Sequence, residues 1–165
     1  MDDEEVLPTE LVPLQSPAAH PLLDPSDKPV VLGASFDFDT PTGKVRLSKA
    51  LRAKDISLDI AAGHVFHVVD MVVYVGTFPL RDTGELQRMT AVRLILDDGS
   101  TLGWNSDIAS HQFRDAIVGV AGMPPYHPPL AIKVVRMASK NHPGGSWYTF
   151  ELAGPQKEVS QNDPD

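Results

Sequence analysis

The 165-residue chain contains no cysteine. Disulfides, thiolate metal sites and thiol nucleophiles are therefore excluded, and the absence fits a reducing cytoplasm. There is no apolar run of the roughly eighteen or more residues that a membrane-spanning helix needs, so no membrane partner is expected. The N-terminus, MDDEEVLPTE, lacks the basic start and apolar core of a secretory signal, which argues against export. Catalytic signatures are missing too. No G-x-x-x-x-G-K-[ST] or strand-following G-x-G-x-x-G loop is present to cradle a phosphate, and there is no G-x-S-x-G elbow. No credible nucleophile and base pair off, so the chain reads as a non-enzyme without a cofactor.

Lys and Arg are absent from residues 1–27, which carry seven acids (Asp2, Asp3, Glu4, Glu5, Glu10, Asp24 and Asp27). The last ten residues, QKEVSQNDPD, set Lys157 against Glu158, Asp163 and Asp165. Residues 28–155 hold thirteen basic and twelve acidic side chains, so the formal charge of −8 belongs to the tails and not to the body. An acidic total ordinarily argues against nucleic acid. Here that objection weakens, because the candidate binding body is close to neutral.

Pro8, Pro13, Pro17, Pro21, Pro25 and Pro29 recur through an acidic stretch with no apolar period, so residues 1–30 read as a disordered tail. Residues 156–165 read as a second, shorter acidic tail. Such tails mostly solubilise; the sharper expectation is docking to replication proteins or competition for a basic groove.

Between them, residues 31–155 form one expected domain. VVLGASFDF (30–38) reads as an extended segment or extra edge strand, and SKALRAKDI (48–56) as a short helix. HVFHVVDMVVYVGTF (64–78) is dense in β-branched and aromatic residues, and too long for one flat strand. It predicts a bent strand, bulged near Asp70 or Gly76. MTAVRLIL (89–96) and STLGWN (100–105) flank Asp98-Gly99, a strong hairpin signal. SDIASHQFRDAIVGVAGMP (106–124) spaces Phe113, Ile117, Val120 and Ala121 at helical intervals, with Ser106 or Asp107 as cap. LAIKVVRM (130–137) and SWYTFEL (146–152) complete the set. Three strands, a helix and two strands is the order of a five-stranded OB-like Greek-key barrel with one helix between strands three and four. The expected fold class is mainly β, flanked by disordered acidic tails. An open α+β sheet with one covering helix would read similarly.

Metal chemistry finds little support. His64 and His67 are three apart on a predicted strand, on opposite faces. Asp37 and Asp39 share a face if extended and could hold Mg²⁺ with a third ligand, but none is signalled. Binding signals are better. A two-residue Asp98-Gly99 turn would pair Arg93 with Trp104 and leave both outside, opposite an interior face of Val92, Leu94 and Leu96. An exposed indole beside a guanidinium suits a stacked nucleobase. A one-residue bulge in the turn would instead pair Leu94 with Trp104 and turn the indole inward. Arg81 and Arg88 lie between the first two long strands. Lys133, Arg136 and Lys140 lie on or beside the last two. In the final strand, alternation sends Tyr148, Phe150 and Leu152 inward and leaves Trp147 as the remaining ring for a ligand. The candidate nucleic-acid contacts are thus Arg81, Arg88, Arg93, Trp104, Lys133, Arg136, Lys140 and Trp147.

The run AVRLILDDGSTLGWNSDIASHQFRDAIVGVAGMPPYHPPLAIKVVRM, followed by a turn and SWYTFEL, resembles single-stranded DNA-binding proteins of bacteriophages and related mobile elements. The shared features are the D-G hairpin, a Ser entering a helix, a G-x-P-P-aromatic-x-P-P segment, a basic strand and a closing aromatic strand. The resemblance covers about residues 55–153 and excludes the tails. It implies an OB-like fold and a non-catalytic replication or recombination accessory that binds single-stranded DNA largely independently of sequence, in the host cytoplasm if phage-encoded. It carries over no fixed set of DNA-contacting residues. Met123, Tyr126 and the longer Gly-rich final turn depart from the pattern and leave affinity and base preference open. The alternative is a structural or protein-docking module of a phage particle or replisome. Homo-oligomerisation and a preference for DNA over RNA are left open.

Overall fold

The computed structural model describes residues 28–154. Apart from residues 28–30, the tail assignments lie outside the described residues. The chain divides into two compact units. The smaller comprises Gly76–Met89 and a segment through Val30; the larger comprises Val31–Val75 and the chain from Thr90 onward.

The secondary structure is mainly β. Six strands, β1 (Val30–Ala34), β2 (Val65–Pro79), β3 (Leu86–Leu96), β4 (Thr101–Trp104), β5 (Leu130–Ala138) and β6 (Ser146–Leu152), form one antiparallel sheet in the order β4-β3-β2-β5-β6, with β1 added on β2. The single long strand expected over residues 64–78 is β2. Its Val, Phe, Tyr and Met side chains suit a pleated surface covered on both sides.

Helix α1 (Pro41–Arg52) starts earlier than residues 48–56 would suggest. Thr40 caps it by accepting from the Gly43 N–H at 3.0 Å, and Pro41 occupies the first turn, where no amide partner is needed. Gly43 is required there: a Cβ would stand 1.9 Å from the Asp37 carbonyl oxygen. A single turn, α2 (Leu58–Ala61), follows, capped by Ser57. Helix α3 (Asp107–Phe113) is capped by Ser106 and continues through a π-helical turn, Arg114–Val118, to Ala121. Gly122 at φ +82° ends it.

The main core lies between the sheet and α3. Leu94, Leu102, Ile117, Ile132 and Val134 are fully buried in it, beside Trp104, Phe113 and Phe150. Trp104 and Phe150 belong to β4 and β6, the two ends of the sheet, yet their ring centroids are 5.0 Å apart. Phe113 meets both, at 5.6 and 5.3 Å. The backbone ladder leaves the sheet open, but its end strands meet through these rings.

The opposite face of β3 and β4 is covered by the α1–α2 segment. Ile56 forms a parallel bridge to Leu102, with its N–H donating to Thr101 O at 2.8 Å and Gly103 N–H donating to Ile56 O at 3.2 Å. This pairs part of the exposed edge of β4, a position prone to unwanted strand addition.

Candidate nucleic-acid interface

The β3–β4 hairpin corrects the expected stacking surface. The pairing is Val92 with Trp104, Arg93 with Gly103, Leu94 with Leu102 and Ile95 with Thr101. The turn contains three residues, Asp97, Asp98 and Gly99, with Leu96 N–H donating to Ser100 O at 2.9 Å and Gly99 at φ +88°. A three-residue turn with a left-handed glycine moves the register by one from the two-residue version. A one-residue slip exchanges the faces of a strand. Trp104 therefore points into the core, 7% exposed, and its Nε1–H donates to Ser110 Oγ at 3.0 Å. The indole is inward as the bulged alternative requires, although its partner is Val92 and not Leu94.

Arg93 takes the other face but does not reach solvent as a free cation. Its Nε–H donates to Asp55 Oδ2 at 2.8 Å and an Nη1–H to Ala50 O at 2.5 Å, and its side chain is 12% exposed. The guanidinium also lies 5.2 Å from the centroid of the Tyr74 ring. Burial pushes the Tyr74 phenol above its ordinary range, with the Arg93 charge pulling the other way. Asp55 also accepts from Thr101 Oγ1 at 2.6 Å. Arg93 is thus the centre of a polar network that fastens the α1–α2 segment to the sheet. A second clamp joins Arg46 to the buried Asp70, which also accepts from Ser35 Oγ at 2.8 Å.

Arg81 and Arg88 lie in the smaller unit, both exposed; Arg81 is in the connection as expected, but Arg88 falls on β3, which begins earlier than residue 89. Arg88 donates to Lys28 O at 3.0 Å and Thr77 Oγ1 at 3.3 Å. Asp37 and Asp39 form a local turn, with Asp39 N–H donating to Asp37 Oδ1 at 2.9 Å. Among the described residues, no three His, Asp or Glu side chains converge in a metal-holding group.

The remaining four candidates come together on the β5–β6 hairpin. Val134 pairs with Phe150 and Arg136 with Tyr148, while Met137 pairs with Trp147, Val135 with Thr149 and Lys133 with Glu151. Tyr148 and Phe150 join the core, but Leu152, expected inward with them, is 38% exposed at the end of β6; the half-buried Trp147 and the 38%-exposed Met137 lie side by side on the other face. Glu151 sits opposite Lys133 at the far end of that face, so the cationic character is concentrated toward the loop. There the exposed Arg136, Lys140 and His142 cluster in sequence around Pro143-Gly144-Gly145.

An open depression of about 400 Å³ lies at the mouth of this hairpin, lined by Arg136, Met137, Ala138, Ser139, Gly144, Gly145 and Ser146. Arg136 Nε–H donates to Ser146 Oγ at 3.2 Å. Met137, Ser139 and Ser146 were not among the expected contacts. The signal that could have found them is the small-residue G-G-S run set directly against a tryptophan.

No family model, curated protein or solved structure matches the chain. The site therefore stands on its own geometry. It offers a half-buried indole beside a thioether on one face, and an exposed arginine and lysine at the hairpin end, and these can stack a flat ring and attract an anion.

Proposed function

We propose that the chain binds single-stranded DNA largely independently of sequence, with the β5–β6 hairpin as the contact surface and the role of a phage replication or recombination accessory. The observation that carries this reading is Trp147, which sits beside Met137 at the end of the hairpin where Arg136 and Lys140 are concentrated. Every nucleobase has a π-face, so an indole platform with nearby cations is tolerant of sequence.

The sheet order supports an OB-like, Greek-key arrangement as the frame. β5, the fourth of the five main strands, lies beside β2, the first, and the chain returns to it through the helix. The contact of Trp104 with Phe150 brings the end strands together as a barrel would. In such folds the loop between the last two strands borders the oligonucleotide groove. No catalytic role is proposed.

Titration of fluorescent oligo-dT at rising salt tests the proposal. Binding that weakens linearly on a log–log salt plot is expected. Absence of binding at low salt, in the full chain and after removal of both tails, would overturn it. A protein-docking role draws on Ile108 and Val120, 57% and 72% exposed along α3 and its continuation, and on Met123, 59% exposed just after Gly122 ends the helix. Loss of a partner upon their substitution, with oligo-dT unbound, would favour that role instead.

A further inference from the structure

We infer that the depression at the mouth of the β5–β6 hairpin is a phosphate subsite, with Arg136 as its ligand-holding cation. This rests on the single-strand reading for the identity of the phosphate as a phosphodiester, and on the geometry of the hairpin for the rest. Three observations support it.

The first is the guanidinium. Among the described residues, Arg136 makes one side-chain hydrogen bond, from Nε to Ser146 Oγ, and no ion pair. That bond steadies the planar fork and leaves the terminal N–H groups to meet a ligand. A fixed guanidinium edge matches two oxygens of a phosphate, which a flexible ammonium does not.

The second is the lining. Ser139 and Ser146 bring hydroxyl donors to the same depression, and Gly144 and Gly145 add no side chain that would fill it. The loop is held by Ser139 N–H donating to Gly145 O at 3.0 Å and Gly145 N–H donating to His142 O at 2.8 Å. Gly144 sits at φ +82°, a conformation that favours glycine, and a Cβ on Gly145 would make a tight 3.0 Å contact with the His142 carbonyl oxygen. The depression, about 400 Å³ and open to solvent, has room for a phosphate group.

The third is position. Met137 both lines the depression and pairs across the hairpin with Trp147. Alternation puts the indole and the Arg136 side chain on opposite faces, and Arg136 and Met137 line the depression at the hairpin end. A strand that stacks a base on Trp147 and turns over the hairpin end would bring its backbone to Arg136.

Two measurements on the full chain test this. In the first, amide NMR shifts are followed during addition of thymidine, deoxythymidine 5′-phosphate or inorganic phosphate. Shifts at Gly144, Gly145 and Ser146 are expected with both phosphates and not with thymidine, and they should vanish in Arg136→Gln. Equal shifts with thymidine, or none with either phosphate, would overturn the subsite. In the second, the salt dependence of oligo-dT binding is compared among variants. Arg136→Gln should lower the log–log slope by about 0.7, the value of one phosphate contact on a single strand. Arg136→Lys should restore the slope while recovering only part of the affinity, and Trp147→Ala should weaken binding with the slope unchanged. An unaltered slope in Arg136→Gln, with oligo-dT still bound, would defeat the inference and spare the single-strand reading. Phosphate-dependent shifts without oligo-dT binding would keep the subsite and remove that reading.

Discussion

Trp104 on β4 and Phe150 on β6 stand with ring centroids 5.0 Å apart, although their strands are the two ends of the sheet. The sheet is therefore curled enough for its ends to share one aromatic cluster with Phe113. Offset and edge-on ring contacts add to the burial of large apolar surfaces. Through Phe150 and Phe113 the cluster also joins the hairpin proposed to hold DNA to α3, and Thr149 Oγ1 adds a bond by donating to Gln112 Oε1 at 2.8 Å.

Trp104→Ala should cost stability, not direct affinity. Removal of a buried aromatic from a packed core typically destabilises by about 3–5 kcal/mol, and Ser110 would also lose its indole donor. Urea denaturation should show the midpoint falling sharply. A variant that keeps wild-type stability and loses only oligo-dT binding would return Trp104 to the surface.

Trp147→Ala should behave in the opposite way. The indole lies on the outer face beside Met137 and is half-buried, so folding stability should fall by less than it does for the core indole Trp104. Affinity for oligo-dT should fall by about 1–3 kcal/mol, the range for one stacked base. Parallel denaturation and fluorescence titrations separate the two effects. Retention of full affinity would remove the stacking role.

The strands were legible because their chemistry is local. Dense β-branched runs marked β2, β3 and β5, and alternation correctly divided Tyr148 and Phe150 from Trp147. The interior face of β3 was legible as well, with Val92, Leu94 and Leu96 in the core, but the face of β4 was not, because it depends on whether the turn spends two residues or three. Asp98-Gly99 is visible in the sequence, but the extra residue follows from Asp98 Oδ1 accepting both the Ser100 N–H at 2.9 Å and its Oγ–H at 2.6 Å. The cover over Arg93 was hidden for a different reason: Asp55 is 38 residues away in the chain. The start of α1 had a signal in Thr40-Pro41, masked by Gly43 and by the weakly apolar first turn.

Gly103→Ala should disturb the Arg93 network through Asp55. A Cβ on Gly103 would stand 2.5 Å from Asp55 Oδ2, so the carboxylate must leave Arg93 or Thr101. Removing one partner of a buried pair costs about 3–5 kcal/mol; with Asp55 still 25% exposed, about 3 kcal/mol or less is expected for Asp55→Ala. The two substitutions should not add, because the clash exists only while Asp55 is present. A double-mutant cycle measured by denaturation checks this. Strict additivity would mean that Gly103 matters for another reason.

Asp98 should make the hairpin sensitive to acid. The Ser100 hydroxyl, and after it the Ser100 N–H, holds the Asp98 carboxyl below the usual carboxylate range. With the folded pKa below the unfolded value of about 3.9, its contribution is present above the unfolded value and lost as pH falls through the folded one. Ser100→Ala removes the larger cause, so the carboxyl should titrate closer to 3.9 and the acid-side loss assigned to Asp98 should shrink. Carboxyl-detected NMR titration of both proteins measures the midpoint directly. An Asp98 midpoint at the ordinary value in the wild type, or one unmoved by Ser100→Ala, would show that this bond does not hold the three-residue turn. The register that buries Trp104 would then need another cause, since that turn sets which face of β4 meets the core.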